Sequence, residues 1–378
     1  MNKLTLFARL VRNGHLSLVE FTQFRLHSKS TNFMFHPVGR AHAETPIVLS
    51  NAQVCSYFRN IADLVPPIEK CLVDFSALDS EEQAKSEEPM LVNPLRTTIA
   101  PSKTSFFMSM PVFYRRSGVF TCKLVSSVLP NIPNPVGPVL NVVLALFDSV
   151  SGVPLAFMEA EELTGIRTSL VSYLTAKYLM RDTPKHVCII GTGTQAASHL
   201  QVVAALLKPE KVFIASKELA WAEEFCEKWR KVVTNTTLVP CATAKEACAT
   251  AEFVITVTNS PVPVLYSDDL SDACRLITIV GAPVKTAQEA ETKVLKDALA
   301  IYADSSSAAS NESGDVINSG RSIDAELGEI IAGTKKLAEP VSGKKPYVVF
   351  KSQGLAVEDA VTAKFVYEQM MKNTTPSA

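Results

Sequence analysis

The run His186-Val187-Cys188-Ile189-Ile190-Gly191-Thr192-Gly193-Thr194-Gln195-Ala196 decides how this chain folds. An apolar stretch the length of a buried strand enters a Gly-x-Gly-x-x-Ala turn, and a helix-forming stretch follows from Gln195 to about Leu206. Each small residue has a task. Gly191 permits the tight turn, Gly193 lets backbone amides approach a pyrophosphate, and Ala196 lets the helix pack closely on the strand, with the helix N-terminus facing the anion. The same pattern occurs in ordinary strand-to-helix turns. A strand before it and a helix behind it favour the dinucleotide-binding reading, with Thr192, Thr194 and Gln195 among the contacts.

Outward from that turn the chain alternates as doubly wound folds do. Strands are expected at Val212 to Ala215, Thr237 to Pro240, Phe253 to Val257, Leu276 to Val280 and Ala300 to Ala303, most of them separated by helical stretches. Upstream, Glu161 to Met180 is helical in period, with Leu163, Ile166, Leu170, Leu174 and Tyr178 facing a core. Before it, Leu95 to Ala100, Ser105 to Pro111, Val119 to Val128, Val139 to Phe147 and Leu155 to Glu159 read as consecutive strands of an antiparallel or mixed sheet. The stretch Asp79 to Glu88 reads as a solvated loop, and Pro130 to Pro138 as turns. The strand Tyr347 to Phe350 and a helix from about Val357 to Met371 are expected to return to the first domain. The organisation is thus α/β: a Rossmann-type doubly wound domain over 166–324, and a discontinuous α+β domain over 45–165 and 325–378 for substrate binding and dimerisation.

With 378 residues, 47% hydrophobic and 20% charged, the chain can bury two cores. A net charge of −1 provides no field to draw in nucleic acid or an anionic membrane. The eight cysteines form no C-x-x-C pair and several lie in apolar runs, which suits reduced core thiols. No apolar run reaches the length of a membrane span. Four of the six histidines fall in the first 44 residues, leaving His186 and His199, too few for a histidine zinc site or a serine-histidine triad. No metal is expected. Residues 1–44 carry Lys3, Arg9, Arg12, Arg25, Lys29 and Arg40 against one early acid, Glu20. They suit a mitochondrial transit peptide or a disordered extension equally, so the expected location is cytoplasmic or mitochondrial.

Several side chains could carry chemistry. The second nucleotide-domain strand ends Ile214-Ala215-Ser216-Lys217 with no carboxylate at its tip. A hydroxyl and an ammonium there suit a 2′-phosphate, so NADP(H) is expected over NAD(H), although Glu218 follows and a solvated lysine is the competing reading. Arg167 sits near the start of its helix, where the dipole disfavours a cation unless an anion is bound or Glu161 or Glu162 pairs with it; Thr168 could add a hydroxyl to the same anion. Lys123 shares a strand face with Thr121 and Val125 and need not point to solvent. Arg96 and Lys123, taken alone, read as surface cations. Asp304 is either a ligand contact at a strand end or a helix N-cap, and Glu312-Ser313-Gly314-Asp315 reads as a turn.

Taken jointly, Pro94-Leu95-Arg96-Thr97, Thr121-Cys122-Lys123-Leu124-Val125, Leu163-Thr164-Gly165-Ile166-Arg167-Thr168, the Gly191 turn, Glu312-Ser313-Gly314-Asp315-Val316 and Phe350-Lys351-Ser352-Gln353-Gly354-Leu355-Ala356-Val357-Glu358-Asp359 resemble the ornithine cyclodeaminase and mu-crystallin family. The resemblance implies a homodimer built through the first domain and an active site between domains. It implies that Arg96 and Arg167 hold a substrate carboxylate and that Lys123 faces the reacting carbon and nitrogen while a nicotinamide exchanges hydride. Cyclodeaminases of the family place an aspartate after a late strand where this chain has Val280-Gly281-Ala282-Pro283. Proline cannot exchange protons. Mu-crystallin-like members of the family also lack that acid and resemble NADPH-dependent reductases of cyclic ketimines, so the resemblance implies NAD(P)H-dependent reduction of small cyclic ketimine carboxylates. The alternatives are a cyclodeaminase or alanine-type dehydrogenase, and a non-catalytic carrier resembling thyroid-hormone-binding relatives.

Overall fold

The computed structural model describes residues 45–78, 88–102, 105–128, 140–339 and 346–374. The expectations for residues 1–44 and for Pro130 to Pro138 lie outside the described residues, as does nearly all of the acidic loop. The described chain from Thr45 onward belongs to one compact unit holding two sheets.

The first sheet contains β1 (Ile47–Leu49), β2 (Leu91–Val92), β3 (Thr97–Ser102), β4 (Ser105–Tyr114), β5 (Val119–Val128), β6 (Leu140–Asp148) and β7 (Pro154–Glu159). Its order is β1-β7-β6-β5-β4-β2, with β3 also on β4; β1 and β7 run parallel and the other pairs antiparallel. Ser50 caps the following helix, Asn51–Ser56, with a capping box to Gln53. Alternation along β5 buries Thr121, Lys123 and Val125 and leaves Phe120 exposed.

The second sheet contains β8 (His186–Ile190), β9 (Lys211–Ala215), β10 (Thr237–Cys241), β11 (Phe253–Thr256), β12 (Leu276–Ile279), β13 (Ile301–Ala303), β14 (Ala325–Glu326) and β15 (Val348–Lys351). All pairs are parallel, in the order β10-β9-β8-β11-β12-β15-β13-β14. The order reverses beside β8, where the Gly191 turn emerges, as expected of a doubly wound sheet. The helix after the turn runs Thr194–Val202 and continues as a wider π-helical turn, Val203–Leu207.

One expectation needs correcting. The strand near residue 348 does not return to the first sheet; β15 lies between β12 and β13. All four of its residues are buried, and a strand apolar on both faces suits the interior of a parallel sheet covered on both sides. β14 also joins this sheet. What returns is the helix Ala356–Thr374, which packs on β4, β5 and the helices Val65–Ser76 and Glu161–Leu179. Its Val357, Val361, Val366 and Met370 are buried, each contributing about 1.5–3 kcal/mol of apolar transfer free energy. The chain therefore crosses between the sheets at Ser352-Gln353-Gly354-Leu355.

All eight cysteines are free thiols; Cys55 is exposed, Cys122 half-buried and the others buried. Among the described residues no helix is long and apolar enough to cross a membrane, and no cluster of side chains could hold a metal ion.

Candidate active site between the two sheets

Lys123, expected alone to be a surface cation, is 2% exposed. Its Nζ lies 2.8 Å from Asp359 Oδ2. Burial, with Arg167 adding its repulsion, pushes its ammonium down to about 8, against the pull of Asp359 and Glu358. Arg167 does not pair with Glu161 or Glu162. Its Nε donates to Asp359 Oδ1 at 2.9 Å and its Nη1 to Glu358 Oε2 at 2.8 Å, both within the buried interior. Burial opposes its charge, yet Asp359 and Glu358 outweigh that and raise its pKa. Glu358 is pushed up to about 8 by burial, with Arg167 working the other way. A second Glu358 oxygen, Oε1, is buried without a hydrogen-bond partner.

Arg96 joins this cluster through the crossing segment. Its Nη2 donates to Gln353 O at 2.9 Å, and its Nε lies 3.2 Å from Glu312 Oε2. Gly354 adopts φ +77°, and a Cβ built there would sit 2.6 Å from Arg167 Nη1, so only glycine lets the backbone approach that guanidinium. Arg96, the 353–354 turn, Arg167, Asp359 and Lys123 thus form one connected chain. A cavity of about 380 Å³ opens beside it, lined in part by Arg96, Met110, Ser305, Glu312 and Leu355. Met110 lies directly opposite Lys123 in the β4–β5 ladder.

Glu358 and Asp359 were not assigned a role by sequence reasoning. The available signal was their position in Leu355-Ala356-Val357-Glu358-Asp359-Ala360-Val361, an otherwise apolar run. Acids inside such a run are buried and therefore need cationic partners. Thr168 is 5% exposed and donates its hydroxyl to Thr164 O at 2.7 Å, a bond within its own helix.

At the dinucleotide turn Gly191 has φ +130°, and a Cβ there would sit 2.9 Å from Val257 O. Gly191 N donates to Ala215 O, which brings the turn against the end of β9; Thr192 Oγ1 lies 3.3 Å from Ser216 Oγ. Gly193 is exposed and a Cβ built on it would meet nothing within 4 Å. The helix N-terminus behind it carries no side-chain cap, and Gln195 Oε1 is buried without a hydrogen-bond partner. Open space, uncapped amides and a first helical turn without an acid fit a pyrophosphate. Ala196 is fully buried against the strand, while Lys217 is exposed just past the end of β9.

A family model described as the ornithine cyclodeaminase/mu-crystallin family matches residues 47–374. The chain belongs to that family. It is 33% identical over 325 residues to the ketimine reductase mu-crystallin of Macropus fuliginosus, covering 86% of this chain and 97% of that one. It is 32% identical over 293 residues to a Delta(1)-pyrroline-2-carboxylate reductase of Bacillus cereus, covering 74% and 87%. Among solved structures, the Delta(1)-pyrroline-2-carboxylate reductase of Thermococcus litoralis, in complex with NADH and L-proline, superimposes with a TM-score of 0.77 at 28% identity, covering 88% of this chain and 99% of that one. Family membership spans both sheets and the buried cluster between them.

Proposed function

We propose that this chain is an NAD(P)H-dependent reductase of small cyclic imine carboxylates, acting in the cleft between its two sheets. The observation that carries the reading is the buried Lys123–Asp359–Arg167–Glu358 cluster, joined to Arg96 through the 353–354 turn. Arg96 and Arg167 carry the guanidinium groups that would hold the substrate carboxylate, Arg167 being oriented by its bonds to Asp359 and Glu358. Lys123, held at Nζ by Asp359 and mostly protonated near neutrality, donates a proton to the imine nitrogen. Burial of the cluster excludes water and strengthens each of these contacts. When bound, the nicotinamide supplies the hydride for the C=N carbon.

Gly191 to Ala196 would cradle the dinucleotide, with Arg167 and Thr168 as further contacts. Ser216 and Lys217 would meet the adenosine ribose, and NADP(H) would be preferred because Lys217 offers a cation where an acid would exclude a 2′-phosphate. Residues 166–324 work as the nucleotide domain, supplemented by β15, and 45–165 with the C-terminal helix as the substrate domain. The cyclodeaminase alternative lacks its acid, since Ala282-Pro283 stands there.

The chain acts as a homodimer. The outer face of the first sheet carries Phe107, Phe120, Val143 and Phe157, each 37–44% exposed. An apolar face of this kind on a domain is the hallmark of an association surface.

The test is a titration of purified protein with NADPH and with NADH, followed by Δ1-pyrroline-2-carboxylate in the same cuvette. Tighter NADPH binding and loss of its absorbance on adding the imine are expected. Binding without oxidation would leave the carrier reading in place of the enzyme, and no binding of either nucleotide would overturn the reading of the Gly191 turn.

A further inference from the structure

Asp304 follows β13 and is 1% exposed. As a helix N-cap it would turn toward residues 306–308, but that place is taken by Ser305, whose hydroxyl accepts from Ala308 N at 3.1 Å. The Asp304 carboxylate points instead at the segment where the chain crosses from one sheet to the other. Its Oδ2 accepts from Gln353 N and Gly354 N, both at 2.7 Å, and from Ser352 Oγ at 3.2 Å. Its Oδ1 accepts from Ser305 N at 2.8 Å. Two consecutive backbone amides converging on one carboxylate oxygen fix the direction of the peptide planes between them. The carbonyl of Gln353 is then aimed at Arg96 Nη2, 2.9 Å away, and the α-carbon of Gly354 is set against the Arg167 guanidinium.

We propose that Asp304 is a positioning residue for recognition of the substrate carboxylate: it clamps the Ser352–Gly354 turn, and through that turn sets the two arginines, Arg96 and Arg167, at the spacing a carboxylate requires. Neither arginine touches Asp304 directly. One binds the turn by its carbonyl and the other packs on its glycine, so the turn is a body common to both. The inference rests on the reading of Arg96 and Arg167 as the carboxylate anchor. An aspartate is needed because both oxygens accept; an amide at the same place would turn a donor toward N–H groups.

The experiment compares Asp304→Asn, Ser352→Ala and Arg96→Ala in the full chain, with Δ1-pyrroline-2-carboxylate as substrate. For D304N the KM for the imine should rise about tenfold or more, the effect of losing one charge-assisted hydrogen bond's worth of ground-state binding. NADPH affinity should stay at the wild-type value, and kcat should change by less than about threefold. S352A removes only the longest of the three bonds, and its KM should rise by about threefold with NADPH affinity unchanged. An unchanged KM in D304N overturns the proposal. So does a parallel shift of KM, NADPH affinity and melting midpoint, which would make Asp304 a support of the fold alone. Should D304N fail to accumulate as folded protein, S352A decides: an unmoved KM rejects the clamp. R96A separates the two levels of argument. If R96A leaves the KM alone, the carboxylate anchor itself is wrong; if R96A raises it and D304N does not, only the clamp is wrong.

Discussion

Replacing Lys123 by methionine tests the chemistry and the packing of the site together. Lys123→Met keeps much of the aliphatic stem and removes the ammonium. Loss of a positioned proton donor should lower kcat by about 10²–10⁴-fold. NADPH binding should be retained, because the dinucleotide turn is built from other residues. The structure also sets a stability cost. Asp359 is 1% exposed and its Oδ2 pairs with Lys123, while Oδ1 remains held by Arg167. Removing one partner of a buried pair costs about 3–5 kcal/mol, and the surviving Arg167 contact places this case near the lower end, about 3 kcal/mol. Adding Asp359→Asn to the same chain takes away one of the two carboxylates that hold the buried Arg167, so it should lower stability further and should not restore turnover. The assays are NADPH oxidation with Δ1-pyrroline-2-carboxylate, NADPH fluorescence titration and urea unfolding. Because the donor must be protonated, wild-type kcat/KM should be level below the Lys123 value of about 8 and fall as pH rises through it. A Lys123→Met enzyme with wild-type kcat would remove Lys123 from the mechanism.

Glu358→Gln should flatten the pH dependence of stability. The folded-state value of about 8 lies above the ordinary 4.5, so the contribution of Glu358 is full below 4.5 and is lost as pH rises through about 8. The facing groups are Arg167, Asp304 and Asp359, and the Lys123 contribution has the opposite sign and lies above about 8. Melting midpoints across that range check it, and equal slopes in the two proteins would sink it. Gly191→Ala places a Cβ 2.9 Å from Val257 O at φ +130°, so NADPH affinity should drop by at least about tenfold and stability by about 1–3 kcal/mol. Undiminished NADPH binding would show that the turn does not need this geometry. Phe120→Glu on the outer sheet face should convert a dimer to a monomer by light scattering, and a persistent dimer would place the interface elsewhere.

Local pattern was enough for everything that depends on neighbours in the chain. The Gly191 turn, the helix behind it and the alternating parallel strands follow from periodicity and from residues that only certain backbone angles admit. The alternation Thr121, Lys123, Val125 allowed Lys123 an inner face without requiring it. The family resemblance named Arg96, Lys123 and Arg167. Residue patterns alone left them as isolated cations, because burial of a charge is decided by what packs against it. Arg167 and Asp359 are 192 positions apart, and no local signal joins them. The same holds for β15: a short apolar run is equally suited to either sheet, and its place between β12 and β13 is settled by which neighbours can cover both its faces. That placement makes 352–355 the crossing between sheets, and hence brings Asp304, the two arginines and the acid pair of the last helix to one point. Sequence determined which elements exist; tertiary packing decided which charges meet.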